Sequence, residues 1–215
     1  MGALKRYLAG VGTRRLIGLV LGNLILGIGC GAFKWAAVGN DPFSASSMAL
    51  AAFLHIPYGY FNVLYNVLFF TLQIIWGRKY IGIGTIINWF CLGFTIQGTF
   101  DLLSKLGTPE TWPQKILIMA IGILIICLGL SLYQTSDTGL APFDSISVMM
   151  HDHWGIPYFW CRIITDSFCA LVTFLTGGLL GVGTLVCAFG LGPIIQFFNT
   201  HFSEKALRHR IGQTK

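Results

Sequence analysis

Two side chains of the fifth long apolar stretch carry the most chemistry for their surroundings: Arg162 and Asp166. Spaced four apart, they fall on one helix face and can neutralise each other. An ionisable group inside an apolar span costs about 2.5–3.5 kcal/mol on insertion scales, which makes such groups functional candidates by default. A hundred residues earlier stand Asn62 and Asn66, so a polar surface recurs at equivalent places. The functional reading is a solute site between the two stretches; the structural reading is an ion pair and an amide pair that hold helices together. Asn88, Gln97 and Gln196 add polar groups to the third and sixth stretches and Asn23 one to the first. Amides of this kind serve interhelical hydrogen bonds or ligands. Asp101 and Lys105 have the spacing of an interfacial i,i+4 pair, with the lysine reaching towards headgroups.

Other combinations point less far. His151-Asp152-His153 has metal-ligand residue types, but neighbours two apart on a helix point in different directions and a third ligand is missing, so no metal is expected. Gly82-Ile83-Gly84-Thr85 and Gly181-Val182-Gly183-Thr184 lack the lysine of a phosphate loop; their glycines fit close helix packing. Neither an activated nucleophile nor a catalytic carboxylate pair stands out, so an enzyme and a cofactor are not expected. Cys30, Cys91, Cys127, Cys161, Cys169 and Cys187 lie within apolar stretches without a Cys-x-x-Cys spacing and read as small packing residues.

The elements that must position these groups are membrane helices. Hydrophobic residues make up 54% of the 215 and charged ones 10%, with a mean hydropathy of +0.71, whereas soluble domains are roughly a quarter charged. Spans are expected at Leu16 to Ala37, Tyr58 to Trp76, Ile81 to Leu103, Ile116 to Tyr133, Tyr158 to Leu175 and Gly181 to Phe198, the sixth being shorter and glycine-rich. Arg14 and Arg15 before the first span faintly resemble an export signal, but no small-residue cleavage site follows and the run is long enough to cross. Basic residues stay on the cytoplasmic side. With the N-terminus inside, Lys5, Arg6, Arg14, Arg15, Arg78, Lys79, Lys205, Arg208, Arg210 and Lys215 are inside, against Lys34, Lys105 and Lys115 outside. Both termini are therefore expected in the cytoplasm. The formal charge of +6 reads as topology and attraction to anionic lipid, and no nucleic-acid partner is called for.

The chain also repeats itself. At an offset of 100, Gly39-x-x-Pro42-Phe43 matches Gly139-x-x-Pro142-Phe143, and Ile56-Pro57-Tyr58 matches Ile156-Pro157-Tyr158. At an offset of 99, Gly82 to Thr85 matches Gly181 to Thr184, Gly93 matches Gly192 and Gln97 matches Gln196. Residues 14–103 and 114–200 thus read as two copies of a three-helix unit. An odd number of spans inserts the second copy upside down, as in inverted-repeat transporters with a site near the midplane. The expected fold is an all-α polytopic membrane protein of about six transmembrane helices in two inverted three-helix repeats.

Between the first and second span of each copy lies a segment too short to cross, residues 41–54 and 142–154. Proline suits the first helical turn and Asp41 is a natural N-cap. Each segment is either re-entrant, aiming a helix N-terminus at the midplane, or interfacial. In the re-entrant case Asp41 and Asp144, which flank the matched prolines, would line a shared cavity.

The glycine-rich first helix, the Gly-x-x-Pro-Phe-Asp turn at Gly139 to Asp144, the short helix and the later Gly-Ile-Gly-Thr together resemble the YczE/YyaS/YitT-type bacterial membrane proteins, in their short form without a soluble C-terminal domain. The first copy departs from the turn, with Asp41 before its proline and Ser44 in place of the acid. The resemblance implies a bacterial inner-membrane location and supplies neither substrate nor catalytic set. Two functions follow: a permease for a small polar or anionic solute with its site between the repeats, or a non-transporting binding or assembly subunit of another complex. A homo-oligomer or a partner membrane protein is compatible with either.

Overall fold

The computed structural model describes residues 11–178 and 180–207, and among these every regular element is helical. The helices are α1 (Thr13–Ala36), α2 (Pro42–Phe53), α3 (Tyr58–Trp76), α4 (Ile83–Ser104), α5 (Trp112–Thr135), α6 (Pro142–Trp154), α7 (Tyr158–Leu175) and α8 (Val182–Phe198). A 3-10 turn (Arg78–Tyr80) precedes α4, and a π turn (Asn199–Ser203) leads from α8 into α9 (Glu204–Leu207). Lys5, Arg6, Arg208, Arg210 and Lys215, which enter the orientation argument, lie outside the described residues.

Five helices are long and apolar enough to cross a bilayer: α1, α4, α5, α7 and the run from Val182 to Leu207. The sequence points to the sixth span as the short one. Instead α8 is prolonged through the π turn, and the shorter apolar run is Tyr60–Trp76 of α3. Exposed aromatics such as Phe90 and Phe94 give these helices the apolar exterior that lipid requires.

Helix starts follow local chemistry. Pro42 and Pro142 each occupy the first turn, where a missing N–H is harmless, and the Asp41 carboxylate accepts from Ser44 N at 3.0 Å. Pro57 and Pro157 precede α3 and α7 with φ of −55° and −51°.

The bundle is organised around α1 and α5. Gly22 lies against Tyr133, Gly29 against Ile126 and Gly129 against Leu26, so numbers fall on one helix as they rise on the other and the pair is antiparallel. Glycine permits this approach: a Cβ at Gly22 would stand 2.5 Å from Tyr133 N, and in lipid such packing replaces the hydrophobic drive. Gly27 and Gly31 do the same for α1 on α4, meeting Thr95 and Thr99. At the start of α1, Arg15 donates to Ser136 O at 2.6 Å and to Asp137 O at 2.5 Å, tying it to the end of α5.

Contacts between the two halves come in matched pairs. Gly84 N donates to Thr138 O at 2.9 Å, and Gly183 N to Val38 O at 3.0 Å. Thr85 Oγ1 donates to Leu140 O at 2.8 Å, and Thr184 Oγ1 to Asn40 O at 2.7 Å. Both straps need a glycine in the left-handed region, Gly39 at φ 141° and Gly139 at φ 118°. One strap lies beyond the C-terminal end of α1 and the other beyond the C-terminal end of α5. Because α1 and α5 are antiparallel, the straps close opposite ends of a helix about 36 Å long by its 1.5 Å rise over 24 residues.

Between the straps, α2 and α6 meet head on. The Phe43 and Phe143 rings at their N-terminal ends are 4.8 Å apart. Their other ends diverge, Ala49 to Gly178 beyond α7 and Met149 to Gly77 beyond α3.

Candidate functional site

Where α6 and α7 pack together, Arg162 holds two carboxylates. Its Nη1 donates to Asp144 Oδ1 at 2.7 Å and its Nε to Asp166 Oδ2 at 3.0 Å. Relative exposures of 6% for Arg162, 9% for Asp144 and 0% for Asp166 place all three in the interior. The guanidinium also lies 5.2 Å from the Phe143 ring centroid, so part of its uncharged-solvent face is covered by a cation–π contact. Asp144 stands in the first turn of α6, where the helix dipole favours negative charge. Asp166 is the ninth residue of an 18-residue helix, has no such help, and its Oδ1 has no hydrogen-bond partner among the described residues.

Hydroxyls and amides surround the cluster. Ser147 Oγ and Thr165 Oγ1 are 2.9 Å apart, and Thr165 Oγ1 donates to Arg162 O at 3.0 Å. A turn away, Tyr158 OH donates to Gln134 Oε1 at 2.8 Å, leaving Gln134 Nε2 unpartnered. The buried Tyr133 hydroxyl accepts from Ala141 N, which fixes the entry to α6. With both acids ionised, one guanidinium and two carboxylates leave a single negative charge inside the bundle.

The other sequence candidates fall elsewhere. Asn66 Nδ2 donates to Asn62 O at 2.9 Å, and Ser47 Oγ to Asn62 Oδ1 at 3.3 Å, a small half-buried network on α2 and α3. No hydrogen bond among the described residues joins it to Arg162; the aromatic cluster of Phe43, Phe61, Tyr65, Phe69 and Phe143 fills the meeting of α2, α3 and α6. Asp41 is exposed and spends its carboxylate on capping α2. Asn88 Nδ2 donates to Asn23 Oδ1 at 2.8 Å, joining α4 to α1. Gln97 is exposed, accepting from Lys34 at 3.1 Å and donating to Asp101 at 2.7 Å. Asp101 thus bonds Gln97 rather than pairing with Lys105, because the glutamine sits a turn before it on the same face. Gln196 is half-buried on α8, and its side chain has no hydrogen bond among the described residues.

His151 Nδ1 and His153 Nδ1 lie 2.7 Å and 2.9 Å from the carbonyls of Ile156 and Met149. An open cleft lined by Ile75, Trp76, Arg78, Lys79, Asp152 and His153 lies beside them. There Lys79 and Tyr80 OH both donate to Asp152 Oδ2, at 2.9 Å and 2.5 Å. Burial and that carboxylate raise the Tyr80 pKa well above its ordinary value.

Of the groups that sequence reasoning singled out, Arg162, Asp166 and Asp144 come together and the rest do not join them. Tyr158, Gln134, Ser147 and Thr165 were missed. Tyr158 belongs to the repeat pattern, and Ser147 stands a hundred residues after Ser47, a signal without a role; nothing in the sequence marks Gln134 or Thr165.

Five spanning-length helices, an apolar exterior and a charged cluster sealed within define a multi-pass helical membrane protein. The chain belongs to the family of unknown function DUF6198, whose model matches residues 13–200. It is similar to an uncharacterized protein of Haemophilus influenzae, 26% identical over 81% of this chain and 78% of the other. It is also similar to two proteins of Bacillus subtilis. The uncharacterized membrane protein YczE is 23% identical over 82% of this chain and 81% of YczE. The uncharacterized protein YyaS is 24% identical over 87% of this chain and 96% of YyaS. No solved structure matches the chain.

Proposed function

We propose that this protein is a permease of the bacterial inner membrane, built from two inverted repeats that rock against each other around the Arg162 cluster. Residues 14–103 and 114–200 are the repeats and both termini face the cytoplasm. The matched straps at opposite ends of α1 support the inversion. The meeting of Phe43 and Phe143, with the far ends of α2 and α6 diverging, supports the re-entrant reading over the interfacial one.

The observation that carries the reading is an inequality within this symmetry. Gly192 of α8 packs against the Phe159 carbonyl of α7, whereas its counterpart Gly93 of α4 has nothing among the described residues within 4 Å of where a Cβ would stand. The seam between α7 and α8 is closed and that between α3 and α4 is open. Alternating access needs two such arrangements of one motif, exchanged between halves. Arg162 already holds two carboxylates, which argues for a polar or cationic solute over an anionic one.

The open seam also favours a second reading, a binding subunit that takes a partner helix between α3 and α4. Solute flux into proteoliposomes containing the purified chain alone separates the two. With a permease, Gly93→Leu fills the open seam, leaves the fold intact and abolishes flux. Flux unaffected by Gly93→Leu sinks the rocking mechanism, and a purified chain that moves no solute in a broad cation and polar-solute screen leaves the binding subunit. Orientation is tested by a cysteine at Thr108 in a variant without native cysteines: labelling only from the cytoplasmic side would overturn the topology.

A further inference from the structure

We propose that Asp166 is a proton-binding site: its Oδ1 takes up a proton to form a neutral carboxylic acid and releases it to restore the carboxylate, switching the Arg162 cluster between charges of zero and −1. The geometry of the three groups assigns the proton to this oxygen. Asp144 receives the shorter of the two Arg162 bonds, sits in the first turn of α6 and is the more exposed acid. Asp166 is fully buried half-way along α7, and one of its two oxygens has no partner among the described residues. An ionised oxygen in that position lacks both water and a donor, and a proton removes the larger part of the penalty.

A metal cation would satisfy the same charge, but it requires several oxygen ligands around it. Apart from Arg162 and Asp144, the titratable groups within electrostatic reach of Asp166 are Cys127 of α5, Tyr158 and Cys169 of α7, Cys187 of α8 and Asp41 at the start of α2. Asp41 is committed to its own helix cap. The remaining titratable neighbours are three thiols and a phenol, so no further free carboxylate stands by to complete the ligand set of a hard cation.

The site does not depend on transport, but its use does: coupling solute movement to a proton rests on the permease reading. Infrared spectra of the purified full chain in lipid, recorded across a pH titration, read the site directly through the carbonyl stretch of a neutral carboxylic acid. The expected result is a band that disappears on alkalinisation, shifts with carboxyl-13C aspartate, is lost in Asp166→Asn and persists in Asp144→Asn. If Asp166→Asn does not fold, Asp166→Glu keeps a carboxyl at the site and takes the band out of the aspartate isotope shift, which assigns it. The proposal is overturned if no neutral carboxyl appears across the folded pH range, or if the band survives in Asp166→Asn and vanishes in Asp144→Asn. It is also overturned if sodium chloride at constant pH removes the band where choline chloride does not, since that outcome makes the ligand an alkali cation. A titrating Asp166 in a chain that carries no pH-driven flux would overturn the coupling, and one in a chain that moves no solute at all would retain the site and remove the permease.

Discussion

Positions 44, 62 and 66 hold Ser, Asn and Asn; positions 144, 162 and 166 hold Asp, Arg and Asp. The backbone around both sets is the same, with a proline in the first turn of the short helix and another ahead of the next long one. One half thus carries a neutral, half-buried network and the other a charged, sealed one. A scaffold that folds with amides at these places does not need charges there to fold, so the charges of the second half are kept for something the first half does not do.

Removing one charge should have the largest effect. Arg162→Ala strands two interior carboxylates and should destabilise by about 3–5 kcal/mol. Asn62→Ala, at the equivalent place, should lose about 0.6 kcal/mol, an ordinary interhelical hydrogen bond. Unfolding of both variants in mixed micelles measures the gap, and equal losses would break the comparison. The reverse experiment sharpens it. Replacing Asp144, Arg162 and Asp166 together by Ser, Asn and Asn copies the first half into the second and should fold within about 1 kcal/mol of wild type, as buried ion networks often can be exchanged without loss. The same triple variant should lose its pH-dependent carboxyl band.

The seams give the next effect. Gly192→Val forces a side chain into the Phe159 carbonyl and should cost about 1–3 kcal/mol by overpacking, while Gly93→Val should change melting little. At the straps the halves should respond alike: Thr85→Val removes the donation to Leu140 O and a bond accepted from Gly82 N, Thr184→Val the donation to Asn40 O and a bond accepted from Asn40 N, so each should cost about 1.2 kcal/mol at ~0.6 per hydrogen bond. A large difference would show that the straps are equal in geometry alone.

The smallest effect is confined to Tyr80, whose hydroxyl donates to Asp152 of the other half. Its folded pKa lies above the ordinary 10.0, so the folded state holds the proton after the unfolded state has released it. Its contribution is complete below pH 10 and declines as pH rises beyond that. Tyr80→Phe should flatten the alkaline limb of a stability profile.

Much of this was legible in residue order. Period and charge gave the helices, the Pro-Phe and Gly-x-Gly-Thr groups gave the matched turns, and the four-residue spacing gave Arg162 with Asp166. Asp144 stood out by its place beside Pro142, as a partner of Asp41; its bond to Arg162 was not legible, because the two lie 18 residues apart on different helices and only packing joins them. Nor was the unequal seam, because Gly93 and Gly192 occupy equal places in the pattern and each presents the same hydrogen atom. What differs is the neighbour that has or has not come to meet it.

The straps also set an order of events in biosynthesis. The carbonyls of Val38 and Asn40 emerge early from the ribosome, yet their donors, Gly183 N and Thr184 Oγ1, follow almost at the end of the chain, the latter 144 residues after Asn40. The helices α3, α4, α5 and α7 must all be threaded before that first turn is fastened, and the reciprocal clasp at Thr138 can form as soon as its own loop arrives. The end sealed by Gly183 is therefore the last to lock, and a chain truncated before α8 would leave the insertion machinery with one end fastened and the other ajar.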